Sequence, residues 1–182
     1  MPFYPGPGLG GHCIPIDPFY LSHKARALGV PSEFIELAGR INTAMPGRVV
    51  ERTLRALRER GGAGAGRGPR VLVIGLAYKP DIDDVRESPA LEIIERLQDA
   101  GCEVSYHDPH VPRTHAMRRY DLGLASVGLT STSVRGADAV VVLTAHRAIE
   151  WPLVAREARL VIDTRNALAP WAATMGDRLV QA

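Results

Sequence analysis

The sequence predicts an α/β protein in which a helical first part is followed by a domain built on a parallel sheet. Apolar residues recur at helical spacing over residues 32–60. Beyond residue 70, short continuous apolar runs, typical of buried parallel strands, alternate with helical patterns. A Gly-rich run at 61–69 separates the two periodicities and has the composition of a flexible linker. We therefore divide the chain into residues 1–60, the linker 61–69 and residues 70–182.

The first part is predicted to begin with an irregular loop, because Pro or Gly occupies nearly every second position of residues 1–16. Asp17 is a suitable N-cap and Pro18 a suitable first helical residue, so a helix is predicted to begin there. Gly29 would end this helix after Leu28.

A second and longer helix is predicted from a cap at Ser32 to about residue 60. Pro46 lies inside this stretch and is expected to kink or restart the helix. The apolar positions of the helix fall on two sides, which is more apolar surface than one small domain covers.

The second part contains four predicted strands separated by helical patterns, of which residues 89–100 are the clearest. The strands are assigned to residues 70–75, 102–107, 139–143 and 160–162. Such alternation predicts a parallel sheet, whose ligands bind at the carboxyl ends of the strands. Four polar residues just past strand ends mark that edge as the predicted binding face: Lys79, Asp108, Thr144 and Arg165.

Composition argues against several classes of function. Among 182 residues, 22 basic and 20 acidic side chains leave a net charge of +2, too balanced to indicate nucleic acid or a membrane surface as a partner. The chain start lacks the features of a signal peptide, and no run reaches the length of a membrane span. Cys13 and Cys102 lie in unrelated contexts, so we expect reduced thiols in a cytoplasmic protein, with Cys102 in the core.

Cys13 lies in the most informative segment of the chain, Gly8-Leu9-Gly10-Gly11-His12-Cys13-Ile14-Pro15-Ile16-Asp17-Pro18. The glycines let the backbone turn tightly and let a ligand approach it closely. The thiol is predicted to lie just ahead of a helix N-terminus, whose positive end favours a thiolate. This arrangement suits a nucleophile, although a lone cysteine is more commonly a small buried apolar residue and Asp17 could serve only as a cap.

Three segments together resemble the UDP-glucose/GDP-mannose dehydrogenase family. They are residues 5–18, residues 75–89 (Gly-Leu-Ala-Tyr-Lys-Pro-Asp-Ile-Asp-Asp-Val-Arg-Glu-Ser-Pro) and residues 162–166 (Ile-Asp-Thr-Arg-Asn). They occur in the family's order and span nearly the whole chain. The sequence around Cys13, with Phe34–Ala38 and Ile41–Pro46, is most like the UDP-N-acetylglucosamine 6-dehydrogenase branch of the family.

The resemblance implies an enzyme that uses NAD to oxidise the C6 alcohol of UDP-N-acetylglucosamine, or of a related UDP-sugar, to a carboxylate. Cys13 would attack the intermediate aldehyde to give a thiohemiacetal, which is oxidised to a thioester and then hydrolysed. Asp17 would position water or accept a proton during hydrolysis. Arg86 and Cys13 would also face the NAD, and His12 is interpreted as structural.

The same resemblance implies a Rossmann-like UDP-sugar-binding domain at 70–182. Lys79 is a compact cation that suits a diphosphate, Tyr78 can stack or hydrogen-bond, and Arg165 can fork onto oxygen atoms. For each cation, a solvated surface charge without a binding role is the competing interpretation. The implied substrate-binding residues are Tyr4, Gly6, Gly8, Leu9, Gly10, Tyr78, Lys79 and Arg165.

We predict no metal site. The acidic residues Asp81, Asp83 and Asp84 do not match the spacing of a Ca²⁺ loop, and we expect Arg86 or backbone amides to cap their loop. The segment 107–110 contains two histidines but lacks the cysteines or the second helical histidine of a zinc site.

The sequence lacks a strand followed by Gly-x-Gly-x-x-Gly and a helix, the fingerprint of an NAD-binding domain. We therefore expect the C-terminal portion of such an enzyme, inactive without an NAD domain, which forms a homodimer through the helix at 32–60. A catalytically inert UDP-sugar-binding and dimerisation module is the alternative. A cysteine hydrolase that uses Cys13 and His12 is a third hypothesis, which lacks a separate histidine and orienting group.

Overall fold

The structure is a computed structural model and describes residues 4–61, 67–117 and 119–182. Within these ranges the helices are α1 (Cys13–Ala27), α2 (Glu33–Glu59), α3 (Pro89–Asp99), α4 (Ser131–Gly136), α5 (Trp151–Glu157) and α6 (Ala172–Met175). The strands are β1 (Arg70–Ile74), β2 (Glu103–His107), β3 (Ala139–Val142), β4 (Val161–Asp163) and β5 (Leu179–Gln181). The 3₁₀ turns Ala169–Trp171 and Gly176–Arg178 flank α6. The central part of the predicted linker, residues 62–66, lies outside the described residues.

The strands form one parallel sheet in the order β2-β1-β3-β4-β5. In its register, Val71 of β1 pairs with Val104 on one side and with Ala139 on the other. The predicted α/β class and the four predicted strands are confirmed. The sequence pattern does not predict β5, because its three residues at the edge of the sheet are too few to show a strand periodicity.

Both faces of the sheet are covered, which explains the continuous apolar runs in the sequence. On β1, Val71 and Val73 pack into the core that also contains α3 and part of α2. Leu72 and Ile74 belong to the opposite core, which contains residues of α4 and α5. Successive side chains of a strand alternate between faces, so a strand buried on both sides carries an apolar residue at every position.

The two halves of α2 differ in how deeply their apolar side chains are buried. In the second half, Val49 and Leu57 are buried in the same core as β1 and α3. In the first half, Phe34, Leu37 and Ile41 are exposed, Phe34 by 87%. The second half therefore belongs to the body of the sheet domain, and the first half carries an exposed apolar stripe.

The course of α2 past Pro46 differs from the prediction. The helix continues through Pro46, which is buried inside it, so the predicted restart does not occur. Ser32 occupies the N-cap position as predicted, although its side chain makes no capping hydrogen bond. None of the helices in the described residues combines the length and the apolar composition that a membrane crossing requires.

The predicted start of α1 at Asp17 is wrong. The helix begins at Cys13 with His12 at the N-cap position, and Pro18 lies inside it. The first-turn amides of a helix have no intrahelical partner, so Pro15 fits in that turn and the helix can begin ahead of the Asp-Pro signal. Cys13 is consequently the first residue of the helix rather than a loop residue ahead of it.

Candidate functional site

The order of the strands creates a crevice between β1 and β3. From β1 the chain passes through α3 to β2 on one side, and β3 pairs with β1 on the other side. In an open parallel sheet, ligands bind at the carboxyl ends of the strands where the direction of winding changes. Residues 75–81 follow β1 and residues 143–147 follow β3, so both segments lie at this crevice.

The four polar residues predicted for this edge all follow the ends of their strands, but two of them are internal supports. Asp108 and Thr144 are 3% and 2% exposed, respectively. The Thr144 hydroxyl donates to the carbonyl oxygen of Ala77 at 2.6 Å. Lys79 is exposed and Arg165 is half-buried, so these two residues present cations at the edge.

The glycine-rich loop of residues 4–12 lies against this edge. A methyl group at Gly6 would overlap the guanidinium of Arg165. A methyl group at Gly10 would come within 2.5 Å of the Tyr78 Cβ and within 2.8 Å of the Glu87 carbonyl oxygen. The approach at Gly10 is to a Cβ and a backbone atom and requires glycine, whereas at Gly6 a side chain would force the Arg165 guanidinium to shift. The structure thus brings predicted residues of the loop together with Tyr78 and Arg165.

Two backbone amides hold the glycine-rich loop from opposite sides. The Gly11 amide donates to the carbonyl oxygen of Arg86 at 3.0 Å. The Leu9 amide donates to Oδ1 of Asn42 on α2 at 2.9 Å. The loop is therefore connected both to the sheet domain and to the long helix. Tyr4, at the start of the described loop, is 79% exposed and accessible to a ligand.

Tyr78 and Lys79 form a pair beside the loop. The Lys79 Nζ lies 5.5 Å from the centroid of the Tyr78 ring, within the range of a cation–π contact. The Tyr78 amide donates to the carbonyl oxygen of Asp84 at 3.0 Å, which fixes the backbone that carries both side chains.

Arg165 is held by a residue that follows β3 and by the last residue of β4. Its amide donates to Oδ1 of Asp163 at 2.9 Å, and its Nε donates to the carbonyl oxygen of Leu143 at 2.8 Å. Burial lowers the pKa of the Arg165 guanidinium from its ordinary value, yet arginine remains charged in proteins. Its Nη1 faces Gly6 of the glycine-rich loop.

The acidic loop after Lys79 is organised by two arginines. Arg86 Nη2 donates to Oδ2 of Asp84 at 2.6 Å, and this hydrogen bond lowers the pKa of Asp84. Arg147 pairs with Asp81, donating from its amide at 2.9 Å and from Nε at 2.6 Å. The expectation that Arg86 caps this loop is confirmed, and Arg147 is a second partner that the sequence did not indicate.

Cys13 and Asp17 are both exposed on α1. They are four residues apart in one helix, so their side chains lie on the same face, one turn from each other. Asp17 is therefore not the cap of this helix, as predicted, but a residue inside it that neighbours the Cys13 thiol. Cys102, in contrast, is buried as predicted, and burial raises the pKa of its thiol.

A buried carboxylate joins the ends of β1 and β2 to the segment after β3. Asp108 Oδ2 accepts from the amides of Leu76 at 2.6 Å and Ala77 at 3.1 Å, and lies 3.0 Å from Nε2 of His146. Burial alone would raise the pKa of Asp108, but hydrogen bonds from His146 and from backbone amides outweigh it and lower the pKa to about 2. Asp108 is therefore an ionised structural group at the candidate site.

Asp81, His110 and His146 form a cluster whose donor atoms lie within 4.8 Å of one another. Both ring nitrogens of His146 are already hydrogen-bonded, one to Asp108 and one to the Asp81 amide. The Asp81 carboxylate is held by Arg147. Among the described residues, His110 Nε2 is a buried nitrogen without a partner. Because the other two members already have partners, we assign no metal to this cluster.

The sequence did not predict the roles of three residues at the site. Asn42 binds the glycine-rich loop, Asp163 holds Arg165, and His146 bonds to Asp108. Asp163 is the last residue of β4, and a polar residue at the end of a strand could have been predicted to lie at the binding edge. Asn42 and His146 carried no such signal, because their partners are distant in the chain.

The described residues of the sheet do not fit NAD as a dinucleotide-binding domain would. Such a domain passes from its first strand through a short Gly-x-Gly-x-x-Gly turn directly into a helix. Here residues 75–88 separate β1 from α3 and include one glycine, Gly75. The edge of the sheet is instead equipped with Lys79 and Arg165.

A parallel sheet with cations at its switch point and a glycine-rich loop against them defines an α/β protein of the nucleotide-binding type. Two family models match the chain. The UDP binding domain of the UDP-glucose/GDP-mannose dehydrogenase family matches residues 72–170, and the central domain of the same family matches residues 1–44. The chain belongs to the UDP-glucose/GDP-mannose dehydrogenase family.

Individual relatives agree with this assignment. The chain is 37% identical over 151 residues to UDP-N-acetyl-D-glucosamine 6-dehydrogenase from Pseudomonas aeruginosa, covering 80% of this chain and 33% of that protein. It is 35% identical over 172 residues to UDP-N-acetyl-D-mannosamine dehydrogenase from Pyrococcus horikoshii, covering 90% of this chain and 36% of that protein. The crystal structure of NDP-N-acetyl-D-galactosaminuronic acid dehydrogenase from Methanosarcina mazei Go1 superposes with a TM-score of 0.75 at 27% sequence identity. The superposition covers 99% of this chain and 39% of that one. The chain thus spans about a third of the length of these relatives.

Replacement of the buried carboxylate should change the acid stability of the fold. The folded-state pKa of Asp108, about 2, lies below its ordinary value of 3.8, so its contribution is full above pH 4 and is lost as the pH falls toward 2. We expect Asp108→Asn to be less stable than the parent by roughly 2 kcal/mol at pH 7. Urea unfolding from pH 7 to pH 2 should show this difference shrinking on the acid side. A difference that stays constant with pH would contradict the assignment.

Proposed function

We propose that this chain forms the UDP-sugar-binding and thiol-bearing portion of an NAD-dependent nucleotide-sugar 6-dehydrogenase. The proposed substrate is UDP-N-acetylglucosamine or a related UDP-sugar, whose C6 alcohol is oxidised to the uronate. The proposal depends chiefly on one observation, the fit of the glycine-rich loop against Tyr78 and Arg165 directly ahead of Cys13. Relatives named as UDP-sugar dehydrogenases add support.

The diphosphate of the substrate is assigned to the edge that carries Lys79 and Arg165. A diphosphate needs cations and amide donors, and both kinds of group are available here. Tyr78, beside Lys79, is proposed to stack or hydrogen-bond with the nucleotide sugar. The complete set of proposed substrate-binding residues is Tyr4, Gly6, Gly8, Leu9, Gly10, Tyr78, Lys79 and Arg165.

Cys13 is proposed to be the nucleophile. Its sulfur bonds to the carbonyl carbon of the C6 aldehyde, and the carbonyl oxygen takes the thiol proton, giving a thiohemiacetal. After oxidation to the thioester, water attacks the carbonyl carbon, the carbon–sulfur bond breaks, and the carboxylate and the free thiol are released. Asp17, one helical turn from Cys13, is proposed to accept a proton from that water.

NAD would supply the oxidising power, and its dinucleotide pocket would be formed by residues other than the sheet described here. Arg86 and Cys13 are proposed to face the NAD from this side. In this proposal residues 1–60 are the central segment, 61–69 the linker and 70–182 the UDP-sugar-binding domain. The unpaired Cys13 and Cys102 favour a reducing, cytoplasmic location.

A catalytically inert UDP-sugar-binding and dimerisation module is the second candidate. The segment after β1 lacks Gly-x-Gly-x-x-Gly, the turn that approaches the pyrophosphate in dinucleotide-binding domains, and this favours the second candidate. The two candidates share the substrate site and differ in whether Cys13 meets an aldehyde.

A homodimer is proposed through the first half of α2. Phe34, Leu37 and Ile41 recur at helical spacing and remain exposed, and α1 adds Phe19 and Leu21 to the exposed apolar surface. Exposed apolar side chains on these two helices favour an interaction surface.

Lys79→Ala should weaken nucleotide-sugar binding by about tenfold, because a cation beside a phosphate contributes on the order of 1.5 to 3 kcal/mol. Calorimetric titration of the 182-residue chain with UDP-N-acetylglucosamine measures this. Lys24→Ala, at the chain's other lysine on α1, is the matched control and should bind like the parent. Equal affinity of the Lys79 variant and the parent would remove Lys79 from the site, and a parent that binds no UDP-sugar would refute the substrate assignment.

Bound substrate should protect Cys13 from alkylation. Cys13 is exposed and Cys102 is buried, so iodoacetamide should label Cys13 first in the folded protein. UDP-N-acetylglucosamine should slow this labelling several-fold, whereas UDP, which lacks the sugar, should slow it less. Cys13→Ser identifies the labelled residue by mass spectrometry. Binding of the sugar nucleotide with an unchanged labelling rate would place the sugar away from the thiol.

Disruption of the apolar stripe on α2 should shift the protein from dimer to monomer. Leu37→Glu places a charge within the stripe, and sedimentation velocity should then show a monomer at micromolar concentration. Arg55→Glu, on an exposed position of the other half of α2, should leave the dimer intact. A parent protein that sediments as a monomer would refute the dimer.

A further inference from the structure

The segment that follows β3, Leu143–Arg147, contacts both parts of the proposed diphosphate site, and we call it the anchor segment. On one side, the Leu143 carbonyl oxygen accepts from Arg165 Nε at 2.8 Å. On the other side, Thr144 donates to the Ala77 carbonyl oxygen at 2.6 Å. One short stretch of chain therefore meets the neighbours of Lys79 and the side chain of Arg165.

His146 is the central member of the anchor segment. It is fully buried, and each of its two ring nitrogens has a partner. The Asp81 amide can only donate, so Nδ1, 2.9 Å away, must accept and carry no proton. Nε2 therefore bears the hydrogen and donates to Asp108 at 3.0 Å. This arrangement needs the neutral ring in a single tautomer.

The two partners of His146 lie at the two ends of the short loop that carries Tyr78 and Lys79. At the first end, Asp108 accepts from the Leu76 and Ala77 amides at 2.6 and 3.1 Å. At the other end, the Asp81 amide donates directly to His146 at 2.9 Å. His146 thus connects the two ends of the loop, directly at Asp81 and through Asp108 at Leu76 and Ala77.

The far end of this loop also needs support because of its backbone conformation. Asp81 has a φ of 62°, in the left-handed region that non-glycine residues rarely adopt. Arg147 adds two hydrogen bonds to the Asp81 carboxylate, at 2.9 and 2.6 Å. A residue held in such a conformation persists only where its surroundings determine it.

We propose that His146 is a positioning residue of the nucleotide-sugar site, which sets the place of the Lys79 ammonium by fixing both ends of its loop. The inference rests on the proposed function, since it assigns to Lys79 a phosphate of the substrate. His146 itself touches no substrate in this scheme, because it is buried beneath the loop.

Two variants separate the two hydrogen bonds of the ring. In His146→Asn, the side-chain oxygen can take the place of Nδ1 and accept from Asp81, whereas the donor to Asp108 is lost. In His146→Gln, the amide nitrogen can take the place of Nε2 and donate to Asp108, whereas the acceptor for Asp81 is lost. We expect each variant to raise the dissociation constant for UDP roughly tenfold in calorimetric titration, because each leaves a buried group without its partner.

A double-mutant cycle with Lys79→Ala distinguishes positioning from a general loss of stability. If His146 acts through Lys79, then His146→Asn should cost little further affinity in the Lys79→Ala background. His107→Asn is the matched control, because His107 also lies at the end of a strand but bonds to the Val127 carbonyl oxygen, away from the anchor segment. It should bind UDP like the parent.

Each outcome is decisive. Parent-like UDP affinity in both His146 variants, or fully additive losses with Lys79→Ala, would overturn the positioning role and leave the proposed function standing. A folded parent that binds neither UDP nor UDP-N-acetylglucosamine would overturn both. If the His146 variants do not fold, Arg147→Ala is used instead. This change removes the hydrogen bond from Nε to Asp81 at the same end of the loop, and the Arg147 side chain is 89% exposed, so the fold should tolerate its loss. Its UDP affinity should then fall several-fold, and parent-like affinity would overturn the inference.

Discussion

The buried Asp108 carboxylate is the group on which the functional edge of this protein depends. A charge removed from water is tolerated only where hydrogen bonds replace its hydration. Asp108 receives them from the amides of Leu76 and Ala77 after β1, from His146 after β3, and from the His110 and Val111 amides of its own loop. Satisfying this one charge therefore brings the ends of three neighbouring strands into a fixed arrangement.

The glycine-rich loop uses the surface that this arrangement creates. Because Gly6 and Gly10 have no side chains, the loop backbone can lie directly on Arg165 and Tyr78. The Asn42 side chain holds the loop from the opposite side, on a helix whose second half is packed into the core of the sheet domain. The loop, the sheet edge and α2 thus form one connected unit, and Cys13 follows at the start of α1.

The protein combines a well-packed half with an open half. The sheet and its covering helices bury their apolar residues, whereas α1 buries only Ser22 among its residues, and the first half of α2 exposes its apolar stripe. The covered half holds the cations of the proposed site. The open half holds the thiol and the surface proposed to meet a second copy of the chain.

The sequence by itself determined the class of fold, four of the five strands and the edge at which the polar residues gather. Strand and helix periodicity are local properties, and parallel strands bring their carboxyl ends together whatever the details of packing. The tertiary structure decided the start of α1, the addition of β5, and the partners of Asn42, Asp108 and His146. Those hydrogen bonds join residues that are 33 and 38 positions apart in the chain, so they depend on how the elements pack. A single sequence carries no local pattern that predicts them.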